Sequence, residues 1–273
     1  MTKSESLLQL IHPDLTERLW LGTALYDSPE LMQRAVASSS TQVVTISLRR
    51  AVSQVDDHGP FDHHEFWHWL KSFQNSRRFL LPNTAGCRTA TEAITLANMA
   101  RDLFNTRWVK LEVIGHEDNL QPHPFELVEA AKELCKQGFK VFPYCTEDVV
   151  LCESLLAVGC DILMPWGAPI GTGKGLINPY GLSKLRHYFP KTPLVVDAGI
   201  GKPSHAAAAM ELGYDAVLIN SAVARSLDPV SMAKGFKAAV EGGRMGYEAG
   251  LMQEQFEAKP STPTLGQPFW HQV

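Results

Sequence analysis

Eight times along its 273 residues the chain repeats one alternation: a short apolar, β-rich run followed by a stretch with helix-compatible spacing. The runs lie at 19–24, 43–48, 79–82, 108–114, 140–145, 161–166, 193–197 and 216–220. Strands alternating with helices over short connections are parallel, and eight such units close a barrel. An open doubly wound sheet would carry a glycine fingerprint after its first strand, which this chain lacks. The expected fold is therefore α/β, a single (β/α)8 TIM barrel treated as one domain over residues 1–273. Length alone would suggest about two domains of ~150 residues, but barrels commonly reach ~250 residues undivided.

Local punctuation sets the helices. Ser28 caps and Pro29 opens the first, through Ser39, and Thr89 or Thr91 caps the amphipathic run to Phe104. Further helices are expected at 124–137 (stopped by Gly138), 146–158 (ended by Gly159), 179–188, 203–212 and 229–241. An insert at about 51–77 and a tail at about 251–273, with Pro260, Pro263 and Pro268, read as irregular.

The run Trp108-Val109-Lys110-Leu111-Glu112-Val113-Ile114 carries two opposite charges in an otherwise apolar strand. Side chains alternate along a strand, so Lys110 and Glu112 share a face, opposite Val109, Leu111 and Val113. Charges inside so apolar a strand are costly without partners. Either they form a structural ion pair, or Lys110 is a desolvated nucleophile with a carboxylate beside it, ready to form an imine. This stretch alone leaves both open. Barrel chemistry gathers at the C-terminal strand ends, which adds Arg49, Arg50, Asn83, Asp197 and Asn220 to the rim. Glu112, on the lysine's own strand, is expected to influence the amine, and Asp197 to reach the substrate from another side.

Glycine-rich Gly167–Gly175 follows the sixth run, Ala198-Gly199-Ile200-Gly201 the seventh and Asn220-Ser221-Ala222 the eighth. Loops after strands seven and eight commonly hold phosphate through backbone amides and a helix dipole. Tight turns are the plainer alternative. No P-loop ending in Gly-Lys-Ser/Thr is present. His64-Glu65-Phe66-Trp67-His68 matches the H-E-x-x-H zinc pattern, but it lies in the insert, crowded by His58 and His63. The favoured reading is an amphipathic lid or linker helix, with Phe66, Trp67, Leu70 and Phe73 on its packing face and no metal.

A net charge of −4 offers no footprint for nucleic acid or an anionic membrane. Five cysteines without metal spacing read as reduced thiols, and no apolar run approaches the ~18 residues of a membrane span. A signal-peptide pattern is not apparent, so the expected location is the cytoplasm.

Asn83-Thr84-Ala85-Gly86-Cys87-Arg88-Thr89, Val109–Gly115, Gly167–Gly171, Val196–Gly201 and Ile219–Ala222 together resemble the thiazole synthase family, from about Leu21 to Gly250. The resemblance lapses over 52–77 and in the tail, and Gly22-Thr23-Ala24-Leu25-Tyr26 stands where the family usually has a Gly-Lys pair after the Thr. It implies a barrel acting on 1-deoxy-D-xylulose 5-phosphate, with Lys110 forming the imine and Glu112 and Asp197 as acid–base carboxylates. Gly171, Ala198, Gly199, Asn220 and Ser221 would bind the sugar phosphate. Sulfur would come from the C-terminal thiocarboxylate of a ubiquitin-like carrier protein, and carbon and nitrogen from dehydroglycine. A homo-oligomer, expected as a tetramer, is implied, with no metal or redox cofactor required. The competing functions are a class I aldolase-like lyase, which needs no sulfur carrier, and a non-catalytic phosphate-binding barrel, which forms no imine.

Overall fold

The computed structural model describes residues 6–48, 63–74 and 76–261, with 63–65 as backbone only. Arg49, Arg50, His58 and the end of the tail lie outside the described residues. A short helix α1 (Leu8–Ile11) precedes β1 (Leu19–Gly22), α2 (Pro29–Ser39), β2 (Val43–Ser47), α3 (His63–Gln74), β3 (Phe79–Asn83), α4 (Ala90–Phe104), β4 (Trp108–Leu111) and α5 (Pro124–Lys136). Then follow β5 (Lys140–Cys145), α6 (Val149–Ala157), β6 (Met164–Pro165), α7 (Pro179–Tyr188), β7 (Val195–Asp197), α8 (Pro203–Glu211), β8 (Ala216–Ile219), α9 (Ser221–Ala224) and α10 (Pro229–Ala249).

All strands join one parallel sheet in the order β6-β5-β4-β3-β2-β1-β8-β7. Parallel bridges Leu163↔Leu194 and Trp166↔Asp197 link β6 to β7, so the eight strands make the nearly closed barrel expected of the repeats. Trp20, Val43, Leu81, Phe142, Met164, Val195 and Leu218 pack together as the interior cluster, joined by Leu8, Ile11 and Leu15. The Lys140 ammonium, at the start of β5, donates to Ile11 O at 2.7 Å, which seats α1 under the N-terminal strand ends. Residues of the opposite pleat, such as Leu21, Val44, Val109, Leu111 and Val196, pack outward with the helices in the main cluster. The two faces follow from the two-residue side-chain period.

Most helix starts are as their punctuation predicts. Ser28 Oγ accepts from Leu31 N at 3.1 Å, and Thr89, rather than Thr91, accepts from Glu92 N at 3.3 Å. Several boundaries differ from expectation. The α6 helix starts at Val149, not at 146, because Asp148 is its cap, accepting from Leu151 N at 2.8 Å. The α10 helix runs on to Ala249, past the expected end at 241. Gly243 is no stop there: a Cβ on it would lie 2.5 Å from Ala207 O, so glycine permits the close approach to α8. The β6 strand shrinks to two residues around Pro165, which has no N–H for a ladder. Within the insert, α3 forms as an amphipathic helix, with Leu70 and Phe73 buried and Phe66 and Trp67 half-buried. No helix among the described residues is long and apolar enough to cross a membrane.

Candidate active site

The central strand ends earlier than its apolar pattern suggests, and that ending builds the site. The β4 ladder stops at Leu111, and the next residues bond to the β3 loop instead. Thr84 Oγ1 accepts from Glu112 N and donates to Glu112 O, both at 2.8 Å, and Ile114 N donates to Cys87 O at 2.8 Å. One threonine side chain thus stands in for a strand partner and fixes the backbone that presents Glu112.

Lys110, Glu112 and Asp197 are each about 95% buried, with relative exposures of 6%, 5% and 4%. The Lys110 ammonium lies 3.0 Å from Glu112 Oε1 and 2.5 Å from Asp197 Oδ2. Asp197 Oδ2 meets it as an ion pair without a hydrogen bond of good geometry. Alternation along β4 accounts for Glu112, but Asp197 arrives from β7, brought in by barrel closure. Sequence separation suggested that Asp197 would serve from another side; the geometry puts both carboxylates on one amine.

Burial opposes the charge on Lys110, but the charges of Asp197 and then Glu112 outweigh it and hold the ammonium pKa above its ordinary value. Burial likewise raises the Asp197 carboxyl against the pull of Lys110, with the negative Glu112 adding to the rise. The resting triad is one ammonium between two carboxylates, and Asp197 has the raised proton affinity of an acceptor. Tyr144 lies beneath, its ring centroid 5.8 Å from the Lys110 ammonium. Burial foremost, then Asp197 and Glu112, raise its pKa and keep the phenol neutral. Sequence analysis missed Tyr144 and Thr84. Two-residue alternation along 140–145 would have put Tyr144 on the inner face with Phe142.

The triad opens into a cavity of about 550 Å³ that also takes in Asn83, Thr45, Gly171, Ala198, Gly199, Asn220 and Ser221. All five residues expected to bind the sugar phosphate therefore line one chamber with the three expected acid–base and nucleophilic groups. The rim after β7 is backbone-strained. Ala198 (φ 69°) and Gly199 (φ 75°) are consecutive left-handed residues, and a Cβ on Gly199 would lie 2.4 Å from Ala168. Non-glycine residues in this region cost ~1–2 kcal/mol and cluster at ligand sites. The loop after β6 folds over this rim, with Gly175 N donating to Gly199 O at 2.8 Å.

The Asn220 side chain turns toward β1. With its amide nitrogen facing that strand's loop it donates to Ala24 O at 2.8 Å and to Gly22 O at 3.3 Å; the opposite assignment would set oxygen against oxygen. Gly22 is needed for this fit, because a Cβ there would lie 2.6 Å from Asn220. Ser221 opens α9, whose first amides carry no side-chain cap. Phe66 and Trp67 of α3 also wall the cavity, so the insert helix contributes to the site. His68 on α3 is exposed, and the His64 side chain lies outside the described residues. Among the described residues, no group of three or more metal-type ligands converges.

The family model described as "Thiazole biosynthesis protein ThiG" matches residues 9–263. A thiazole synthase of Coxiella burnetii (strain RSA 493 / Nine Mile phase I) is 55% identical over 255 residues, covering 93% of this chain and 95% of that protein. One from Brucella anthropi is 54% identical over 263 residues, covering 96% of this chain and 100% of the relative. In the solved Amycolatopsis orientalis BexX/CysO complex, a chain 28% identical superposes with a TM-score of 0.77, covering 89% of this chain and 95% of that one. With likeness at this level over nearly its whole length, the chain belongs to the thiazole synthase family, sulfur-transferring enzymes that form the thiazole of thiamine.

Proposed function

We propose that this barrel joins 1-deoxy-D-xylulose 5-phosphate, dehydroglycine and sulfur from a carrier-protein thiocarboxylate, through an imine on Lys110. The observation that carries the reading is the buried Lys110–Glu112–Asp197 triad facing a cavity of substrate size. For Lys110 to attack the sugar ketone its ammonium must lose a proton, and Asp197, in contact with it, is the acceptor. Loss of water from the adduct leaves the imine, which acidifies the neighbouring carbon. Moving that proton shifts the carbonyl along the chain, where the thiocarboxylate attacks it. Each transfer needs a carboxyl group within hydrogen-bond reach and with an adjustable pKa.

The strained Ala198–Gly199 rim and the uncapped start of α9 support a phosphate position beside β7 and β8. The name of the BexX/CysO complex supports a second protein at a barrel of this kind, and a homo-oligomer is part of the same reading. Borohydride added with the sugar phosphate is expected to fix an adduct on the peptide holding Lys110; label on Lys140 or Lys174 would defeat the assignment. Ser221→Glu is expected to weaken sugar-phosphate binding at least tenfold in calorimetry, as a negative charge at a helix start repels phosphate. Unchanged affinity in the folded variant would move the phosphate elsewhere.

A further inference from the structure

The cavity wall holds one charged residue that the chemistry above leaves unused. Among the described residues, the charged groups lining the chamber are Lys110, Glu112, Asp197 and Arg225. The first three neutralise one another only in part: one ammonium meets two carboxylates, so the triad keeps a negative excess. A phosphate monoester brings about −1.5 to −2 more at neutral pH, and like charges in one chamber repel. Arg225 is the cation there that the triad does not engage. Among the described residues its guanidinium has neither an ion pair nor a hydrogen bond. The nearest acid in the sequence, Asp228, is committed elsewhere: its Oδ1 accepts from Val230 N at 3.1 Å and Ser231 N at 3.0 Å, at the start of α10.

Local geometry turns this side chain toward the chamber. Arg225 N donates to Ser221 O at 3.0 Å, closing one helical turn, and Val223 and Ala224 between them are buried in the core. Ser221, Ala222 and Arg225 therefore share the face of that turn which borders the cavity. Helical side chains tilt toward the helix start, so the Arg225 stem runs back over Ser221. In the order β4-β3-β2-β1-β8, β8 stands four strands from the lysine's strand, on the opposite side of an eight-stranded barrel. A sugar phosphate whose ketone meets Lys110 sends its phosphate, at the far end of its carbon chain, toward that wall. Arg225 is exposed, so its guanidinium is free to close on a ligand at the rim.

We propose that Arg225 is a phosphate-binding residue, its guanidinium pairing with the substrate phosphate from the β8 side of the cavity. This rests on the reading of the cavity as a sugar-phosphate site and adds a side-chain cation to the loop backbone of that rim. The planar fork of donors suits phosphate oxygens, and charge-assisted contacts are the stronger kind, so the loss is expected to be measurable.

The test is Arg225→Met, which keeps an unbranched stem and removes the charge at an exposed position, so the melting temperature should be unchanged. Borohydride trapping at increasing 1-deoxy-D-xylulose 5-phosphate should still label Lys110, with a half-saturating concentration raised roughly 5- to 30-fold. Protection by inorganic phosphate should weaken by a similar factor. Added salt should raise the wild-type half-saturating concentration more than the variant's, because an ion pair at the rim is screened. Arg225→Glu, which reverses the charge, should weaken both readouts further. Unchanged half-saturation in Arg225→Met overturns the proposal. Weaker sugar-phosphate trapping with unchanged inorganic-phosphate protection also overturns it, since the contact would then lie on the sugar. An effect of Arg225→Glu no larger than that of Arg225→Met would make the loss steric and overturn the pairing. If the wild-type protein fails to trap at all, the sugar-phosphate reading itself falls, and the role of Arg225 with it.

Discussion

Lys110→Met is expected to abolish borohydride trapping and thiazole formation, and to make stability fall with rising pH more steeply than the wild type's. Removing the ammonium leaves Asp197 and Glu112 as two buried carboxylates with no cation between them. Breaking a buried pair by deleting one partner typically costs ~3–5 kcal/mol, which for a chain of this size is a drop of roughly 6–20 °C in melting temperature. The direction with pH follows from the Asp197 carboxyl, already raised by burial and then by Glu112, and released from the opposing pull of Lys110. A carboxyl whose folded pKa exceeds its unfolded value binds more protons when folded. Its stabilising contribution is therefore present at acidic pH and lost as pH rises through the folded pKa. Thermal melts of both proteins between about pH 5 and pH 8 should show the variant's deficit widening with pH. A deficit that stays constant, or narrows toward alkaline pH, would mean that the three groups are not electrostatically coupled.

Asp197→Asn is expected to slow trapping on Lys110 by ~10²-fold or more, because an amide cannot accept the proton that the ammonium must lose. Glu112→Gln should still trap imine through Asp197 but stall the later proton transfers, so that adduct accumulates while thiazole does not. This assignment reverses the division suggested by chain proximity, for the reason that Asp197 Oδ2 is the nearer oxygen, at 2.5 Å against 3.0 Å. Trapping time courses for the two variants separate the roles. Fast trapping by Asp197→Asn together with loss of trapping in Glu112→Gln would restore the original division. Near wild-type thiazole formation by both would make the triad structural.

The eightfold alternation was legible because each unit carries local signals: apolar β-branched runs, Ser28 and Thr89 caps, Pro29 and Pro124 at helix starts, Gly138 at a stop. Lys110 and Glu112 were legible as a pair because a two-residue period fixes which side chains share a face. The candidate phosphate residues were legible because small residues follow three successive strands. Where local signals misled, a tertiary contact had decided the matter. The last helix was expected to end at 241, yet α10 continues to Ala249 through Gly243, the point where it approaches Ala207 of α8. The end of β4 depends on the side chain of Thr84, in a different β–α unit.

Thus the sequence by itself determined the unit, its repeat number and the face on which Lys110 and Glu112 lie, since these depend on backbone periodicity and capping within a few residues. Tertiary structure alone decided that Asp197 meets the lysine, that Tyr144 lies beneath it and that Asn220 holds the β1 loop. Those relations join residues far apart in the chain, and only closure of the barrel and the register between its strands sets the distances between them.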